Sequence, residues 1–138
     1  MTNFTVTDDL RAKLQAMASP VSQPRGTFLF HQGEPAKGIY LISQGKVALH
    51  LDCGRRTFPT RVVNCGCIIG LPGTLSGTGY SLTAEILEDS TLDFIPRERL
   101  LEFLRDNPAH CFQLVELLSK EISELRSAAQ RKHDLQIA

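Results

Sequence analysis

The chain has no net charge: its 138 residues hold fifteen basic and fifteen acidic side chains, so a generic polyanion-binding role has no electrostatic support. It also has no long apolar run. No stretch approaches the ~18 consecutive apolar residues of a membrane span, and the N-terminal MTNFTVTDDLRAKLQAM lacks a basic segment followed by an apolar one. The sequence therefore predicts a cytoplasmic protein with no membrane partner. Cysteine is scarce. Cys53, Cys65, Cys67 and Cys111 come without a secretory signal, which predicts free thiols in a reducing compartment. NCGC sets Cys65 and Cys67 at a spacing that could chelate a soft metal, but no CxxC or HxxxH accompanies it, so structural thiols are expected and no metal site. Recognisable catalytic motifs are missing too. His31, His50, His110 and His133 are dispersed, with no HExxH, Ser/His/Asp order or paired carboxylates, so no enzyme is expected.

One further absence is local. Val62 to Ala84 contains no Asp, Glu, Lys or Arg, although GLPGTLSGTG at 70–79 holds four of the ten glycines together with Thr74, Ser76 and Thr78. Glycines let backbone N–H groups turn toward an anion and hydroxyls add donors, a composition that suits a phosphate cradle. The neutralising charge is what it lacks.

The length predicts one domain, 1–138, large enough to bury a core without staples. Thr7 followed by Asp8 and Asp9 is a helix start, with Leu10, Leu14 and Met17 on one face, and Pro20 and Pro24 close this 1–19 segment. From 25 to 95 come short apolar runs broken by glycine: TFLF, GIYLIS, KVALHLD, TRVV, CIIG, SLTAEIL and TLDFI. Short strands with a turn every ten residues or so predict a small barrel or sandwich. PRERLLEFLRD, 96–106, reads as a short helix. Asn107 as N-cap and Pro108 at the first helical position start a long helix over 107–135. On it Val115, Leu118, Ile122, Leu125 and Ala129 make a heptad seam, with Cys111, Leu114 and Leu117 as a second stripe. One stripe packs on the chain's own strands. The other predicts a parallel homodimer, because a helix of ~40 Å outruns so small a barrel.

HQGEPAKGIYLISQGKVAL at 31–49, with Gly33, Glu34 and Gly45, resembles the opening of the cyclic-nucleotide-binding domain of the Crp/Fnr family, the catabolite-activator type. NCGCIIG, with Gly66 and Gly70, is similar to that family's turn and strand into the phosphate-binding cassette, and TLDFIPRERLLEFLRDNP to its last strand and following helix. The resemblance covers nearly the whole chain. It implies a mainly β fold with flanking helices, a double-stranded β-helix (a jelly-roll-like β-roll) plus a long C-terminal dimerisation helix. In the family, a glutamate after the equivalent of Gly70 holds the ribose 2′-hydroxyl, and an arginine near the next strand pairs with the cyclic phosphate. Here Leu71 and Pro72 follow Gly70, and Tyr80 stands where the arginine should. Losing such a desolvated charged pair costs ~2 to 5 kcal/mol, about 30- to 4,000-fold in affinity.

The candidate pocket is Ile69, Gly70, Leu71, Pro72, Gly73, Thr74, Tyr80, Ser81, Leu82 and Thr83. No cofactor is assigned. The loop is expected to take a cyclic nucleotide (cAMP or cGMP) weakly, through loop N–H groups, Ser81 and Thr83, or an uncharged small ligand between Ile69, Leu71, Tyr80 and Leu82, or nothing. Tyr80 is expected as a packed aromatic with its hydroxyl at the surface. The leading expectation is a non-enzymatic sensor module in signal transduction or transcriptional regulation, dimeric, with a downstream protein partner. The alternatives are an interaction scaffold with a self-filled pocket, a sensor fragment of a Crp/Fnr transcription regulator, and a thiol-based sensor in which oxidation of CGC moves the adjacent loop. The resemblance implies a helix-turn-helix after the long helix, whereas this chain stops at QRKHDLQIA, so no direct nucleic-acid binding by it is expected.

Overall fold

Thr7 starts the first helix by physical necessity: its hydroxyl accepts from the Leu10 amide at 3.4 Å, filling one of the orphan donors at a helix start. The computed structural model describes residues 6–137, and within the last helix the side chains of 108–120, 122, 123, 126, 127 and 130. The elements run α1 (Asp8–Ala16), β1 (Ser19–Gln23), β2 (Phe28–Phe30), β3 (Gly38–Cys53), β4 (Arg56–Asn64), β5 (Ile68–Ile69), α2 (Leu71–Ser76), β6 (Thr83–Pro96), α3 (Arg97–Asp106) and α4 (Pro108–Ile137). All strand pairs are antiparallel, in the order β1-β6-β3-β4, with β2 on β6 and β5 on β3. This is the mainly β roll with flanking helices that the sequence implied.

The strands differ from the expected short runs. GIYLIS and KVALHLD form one sixteen-residue strand, β3, and SLTAEIL and TLDFI lie largely on one fourteen-residue strand, β6. The two pair along almost their whole length, from Gly38 opposite Pro96 to His50 opposite Thr83, with register shifts between Ile42 and Val47. Gly45 sits in that irregular stretch at φ +114°, where a Cβ would collide with the Ser90 side chain. The glycine therefore marks a bend inside a continuous strand, where the sequence reading placed a break.

β1 is a second difference. Pro20 does not end the N-terminal segment but lies within a strand that pairs only with β6. An edge strand tolerates proline because one side of it needs no N–H donor. SPVSQ carries no apolar alternation to announce it.

Leu10 and Leu14 of α1 are fully buried with Ile39, Leu41, Ile42 and Leu92 of the roll. Pro96 closes β6 and caps α3, one residue before the expected helical position. Asn107 ends α3 as its C-cap, its Nδ2 donating to the Phe103 carbonyl at 2.9 Å, so its side chain does not cap α4. α4 begins at Pro108 as expected, and at thirty residues spans about 45 Å. Its root is pinned to α1: the Thr7 hydroxyl donates to Gln113 Oε1 at 3.2 Å, and His110 Nε2 lies 3.2 Å from both the Asp9 carboxylate and Lys13 Nζ.

Gly45→Ala is expected to lower the unfolding free energy by about 3 kcal/mol, because a left-handed residue and a clash arise together. Gly54→Ala, at φ +65° with open space around it, should cost about 1 kcal/mol. Urea denaturation of the two variants compares them directly.

Candidate functional site

The neutral glycine-rich stretch folds as the short helix α2 and its two flanks. Gly70 precedes it at φ +88°, and a Cβ there would lie 2.9 Å from the Tyr80 ring. Both the conformation and the contact select glycine. Gly73 packs on the Gly79 backbone, and Gly79 on that of Gly33. The loop after α2 is zipped to the segment before β3: Gly33 N donates to the Tyr80 carbonyl, Tyr80 N to that of Glu34 and Ala36 N to that of Thr78, at 2.9, 2.9 and 3.2 Å.

The cassette hydroxyls are mostly spent on the protein. Ser76 Oγ donates to the Pro72 carbonyl at 2.8 Å and lies 2.7 Å from Thr78 Oγ1. Thr83 is buried, accepts from Gln32 N at 3.0 Å and donates to the Asp52 carboxylate at 2.6 Å. Asp52 thereby brings a carboxylate to a hydroxyl that an anionic ligand would need. Thr74 Oγ1 is buried with no hydrogen-bond partner among the described residues, while the Thr74 carbonyl accepts from Arg97 Nε of α3 at 2.7 Å.

Tyr80 dominates the site. Its ring stacks on Phe30 with centroids 3.8 Å apart and planes 13° from parallel, and its hydroxyl donates to the Gly38 carbonyl at 2.8 Å. The expected surface hydroxyl is thus buried, because a backbone acceptor from β3 satisfies it there. Burial, with a smaller contribution from Tyr40, pushes the phenol up to about 12. It therefore stays a neutral donor at physiological pH.

A cavity of about 20 Å³ remains beside this stack, lined by Phe30, Leu49, Gly70, Pro72, Tyr80, Ser81 and Leu82. That is room for about one water, against the ~300 Å³ or more of a small-molecule pocket. Five of the candidate residues line it: Gly70, Pro72, Tyr80, Ser81 and Leu82. Ile69 and Leu71 do not. They are 1% and 0% exposed and belong to the main core, so Leu71 is no wall facing a sugar hydroxyl. Gly73 and Thr74 are buried within α2. Phe30 and Leu49 were missed, since each reaches the cavity from a distant strand and only the apolar runs TFLF and KVALHLD hinted at them. A larger open groove of about 440 Å³ lies elsewhere, at the bend of the roll beside Ser90, and shares no residue with the cassette cavity. Among the described residues no group of three His, Cys, Asp or Glu could hold a metal ion.

On α4, Leu114 and Leu117 are buried against the roll and Cys111 is half-buried. Val115 and Ile122 are exposed, Leu118 is half-buried, and Leu125 and Ala129 lie outside the described side chains. Phe112, 77% exposed, extends this outer apolar face beyond the predicted seam.

The family model of the cyclic nucleotide-binding domain matches residues 20–107. The chain is 31% identical over 104 residues to the cyclic AMP receptor protein of Thermus thermophilus, covering 73% of this chain and 47% of the relative. It is 25% identical over 124 residues to the anaerobic regulatory protein of Bacillus subtilis, covering 88% and 52%. It thus spans about half the length of these curated relatives. The crystal structure of the Thermus thermophilus catabolite activator protein superposes with a TM-score of 0.77 at 24% identity, covering 95% of this chain and 60% of that one.

Tyr80→Phe is expected to lower stability by about 1 to 3 kcal/mol at pH 7, since the Gly38 carbonyl loses its donor. The raised phenol makes the advantage of tyrosine over the phenylalanine variant full below pH 10, and lost as the pH rises from 10 toward about 12. Denaturation of both proteins across that range measures it.

Proposed function

The chain belongs to the cyclic nucleotide-binding domain family, and from that membership we propose that it is a regulatory sensor module of the Crp/Fnr type whose cassette has lost selectivity for cyclic nucleotides. It acts without catalysis, in signal transduction or transcriptional regulation, through a dimer of α4 helices and a downstream protein partner. The observation that carries this reading is the Tyr80–Phe30 stack. The aromatic that stands where the family's phosphate-binding arginine would be has its hydroxyl bonded inward to Gly38, so it offers a ligand neither a charge nor a free hydroxyl donor.

The remaining donors point the same way. Thr83 is committed to Asp52, so Ser81 and loop N–H groups are left for a ligand, with no cation among residues 62–84. An uncharged ligand suits such a site better than a cyclic phosphate. A scaffold role with the pocket closed by its own side chains is the second reading, favoured by the small cavity.

Signal transfer would use packing already in place. Arg97 Nε bonds the Thr74 carbonyl of α2 while Arg97 N bonds the Lys37 carbonyl at 2.8 Å, and α2 packs on both α3 and α4. A ligand that favours one position of α2 would bias the helices after it. The proposed dimer seam is Val115, Leu118, Ile122, Leu125 and Ala129. Its support is that Val115 and Ile122 are exposed on a helix anchored by Leu114 and Leu117.

Isothermal titration with 3′,5′-cyclic AMP and cyclic GMP is expected to give no saturable heat at micromolar ligand. A micromolar Kd for either would overturn the view of the cassette. For the dimer, Val115→Glu with Ile122→Glu should give a monomer in sedimentation equilibrium with its unfolding transition retained. A double variant that still dimerises would move the interface elsewhere.

A further inference from the structure

The turn from β4 into β5 is held on three sides. Cys67 N donates to the Asn64 carbonyl at 3.2 Å and Gly66 takes φ +90°. Gly66 N donates to the Ile42 carbonyl at 2.8 Å, Ile42 N to the Cys67 carbonyl at 3.0 Å and Val6 N to the Gly66 carbonyl at 3.1 Å. The turn presents two free thiols, Cys65 exposed and Cys67 buried.

Arg11 of α1 reaches across to this turn, and its Nη2 donates to Cys65 Sγ at 2.9 Å. A guanidinium at hydrogen-bond distance pairs with the negative charge that sulfur carries when it attacks as a nucleophile. Arg11 Nε is buried and has no partner among the described residues. Cys53 and Cys111 are free but half-buried, whereas Cys65 is exposed. Burial is the largest influence on Cys67 and pushes its thiol up, with the fields of Arg61 and Arg11 opposing it. Cys67 therefore suits a second, slower role.

We propose that Cys65 is a site of reversible oxidation by small hydroperoxides, with Cys67 as the thiol that resolves it. The Cys65 thiolate attacks the terminal peroxide oxygen. An S–O bond forms, the O–O bond breaks, and the leaving oxide takes a proton and departs as water or an alcohol. Sulfur is oxidised by two electrons and the peroxide is reduced by the same two. Cys67 Sγ then attacks the Cys65 sulfur: the S–S bond forms, the S–O bond breaks, and hydroxide leaves with the Cys67 proton as water. Two consecutive 3.8 Å Cα spacings limit the separation of Cys65 and Cys67 to about 7.6 Å, and a turn shortens that toward the ~5.5–6 Å of a disulfide. A small dithiol reductant restores both thiols by exchange. Gly70 is three residues beyond Cys67, so closing the bridge strains the β5 start that positions α2. This inference stands whether or not the cassette binds a nucleotide.

The test treats the purified chain with stoichiometric hydrogen peroxide, followed by differential alkylation and peptide mapping. A Cys65–Cys67 disulfide should form first, with Cys53 and Cys111 still open to alkylation, and hydrogen exchange should quicken over residues 68–76. Cys67→Ser should accumulate a dimedone-trapped sulfenic acid at Cys65. Arg11→Gln should slow oxidation of Cys65 about tenfold, whereas Arg11→Lys should keep most of the rate. Oxidation of Cys65 no faster than that of Cys53 or Cys111 in the unmodified chain overturns the proposal. So does an unchanged rate in folded Arg11→Gln, and a sulfenic acid in the unmodified chain that Cys67 never captures removes the resolving role.

Discussion

The contact between Gly45 and Ser90 governs the architecture. β3 and β6 can remain partners over most of their length only if both turn the same corner, and they turn it where a glycine backbone lies against a serine side chain. Ser90 is itself held there, its Oγ donating to the Glu88 carbonyl at 2.7 Å and accepting from Lys46 N at 3.3 Å. Without that corner the two strands would make a flat ribbon with no enclosed side. With it, Ile39, Leu41, Val47, Ile86 and Leu92 meet in one core, and β1, β2, β4 and β5 attach to a frame already made.

The segment around α2 is built onto this frame. Leu71 anchors α2 in the core, Tyr80 fills the space beside it and Arg97 holds its carbonyl end. Thr83 and Tyr80 have their hydroxyls bonded to groups of the chain itself. The left-handed turns at Gly66, Gly70 and Gly77 shape the backbone around α2, a geometry that serves a fold as well as a phosphate.

What could be read from sequence was local. The Thr7 cap, the leucine stripe of α1 and Pro108 at the start of α4 each depend on residues within a few positions of one another. Pairings across the chain were not legible. Tyr80 and Phe30 stack across fifty residues, and nothing in GTGYSL says that the phenol will find the Gly38 carbonyl. Ile69 and Leu71 looked like pocket walls because they flank a glycine loop, yet side-chain direction in a two-residue strand followed by a helix start is set by the core it meets. β1 was hidden for another reason: an edge strand half in solvent needs no alternation of apolar residues.

The pinned root of α4 has a mechanical consequence. Asp9, Lys13 and Thr7 hold His110 and Gln113 near one end of a helix about 45 Å long, so the helix beyond would act as a lever about a fixed bearing. A tilt of about 5° at the bearing carries the far tip through about 4 Å. Motion too small to break a hydrogen bond at α1 becomes, at the other end, a displacement as large as the distance between neighbouring residues.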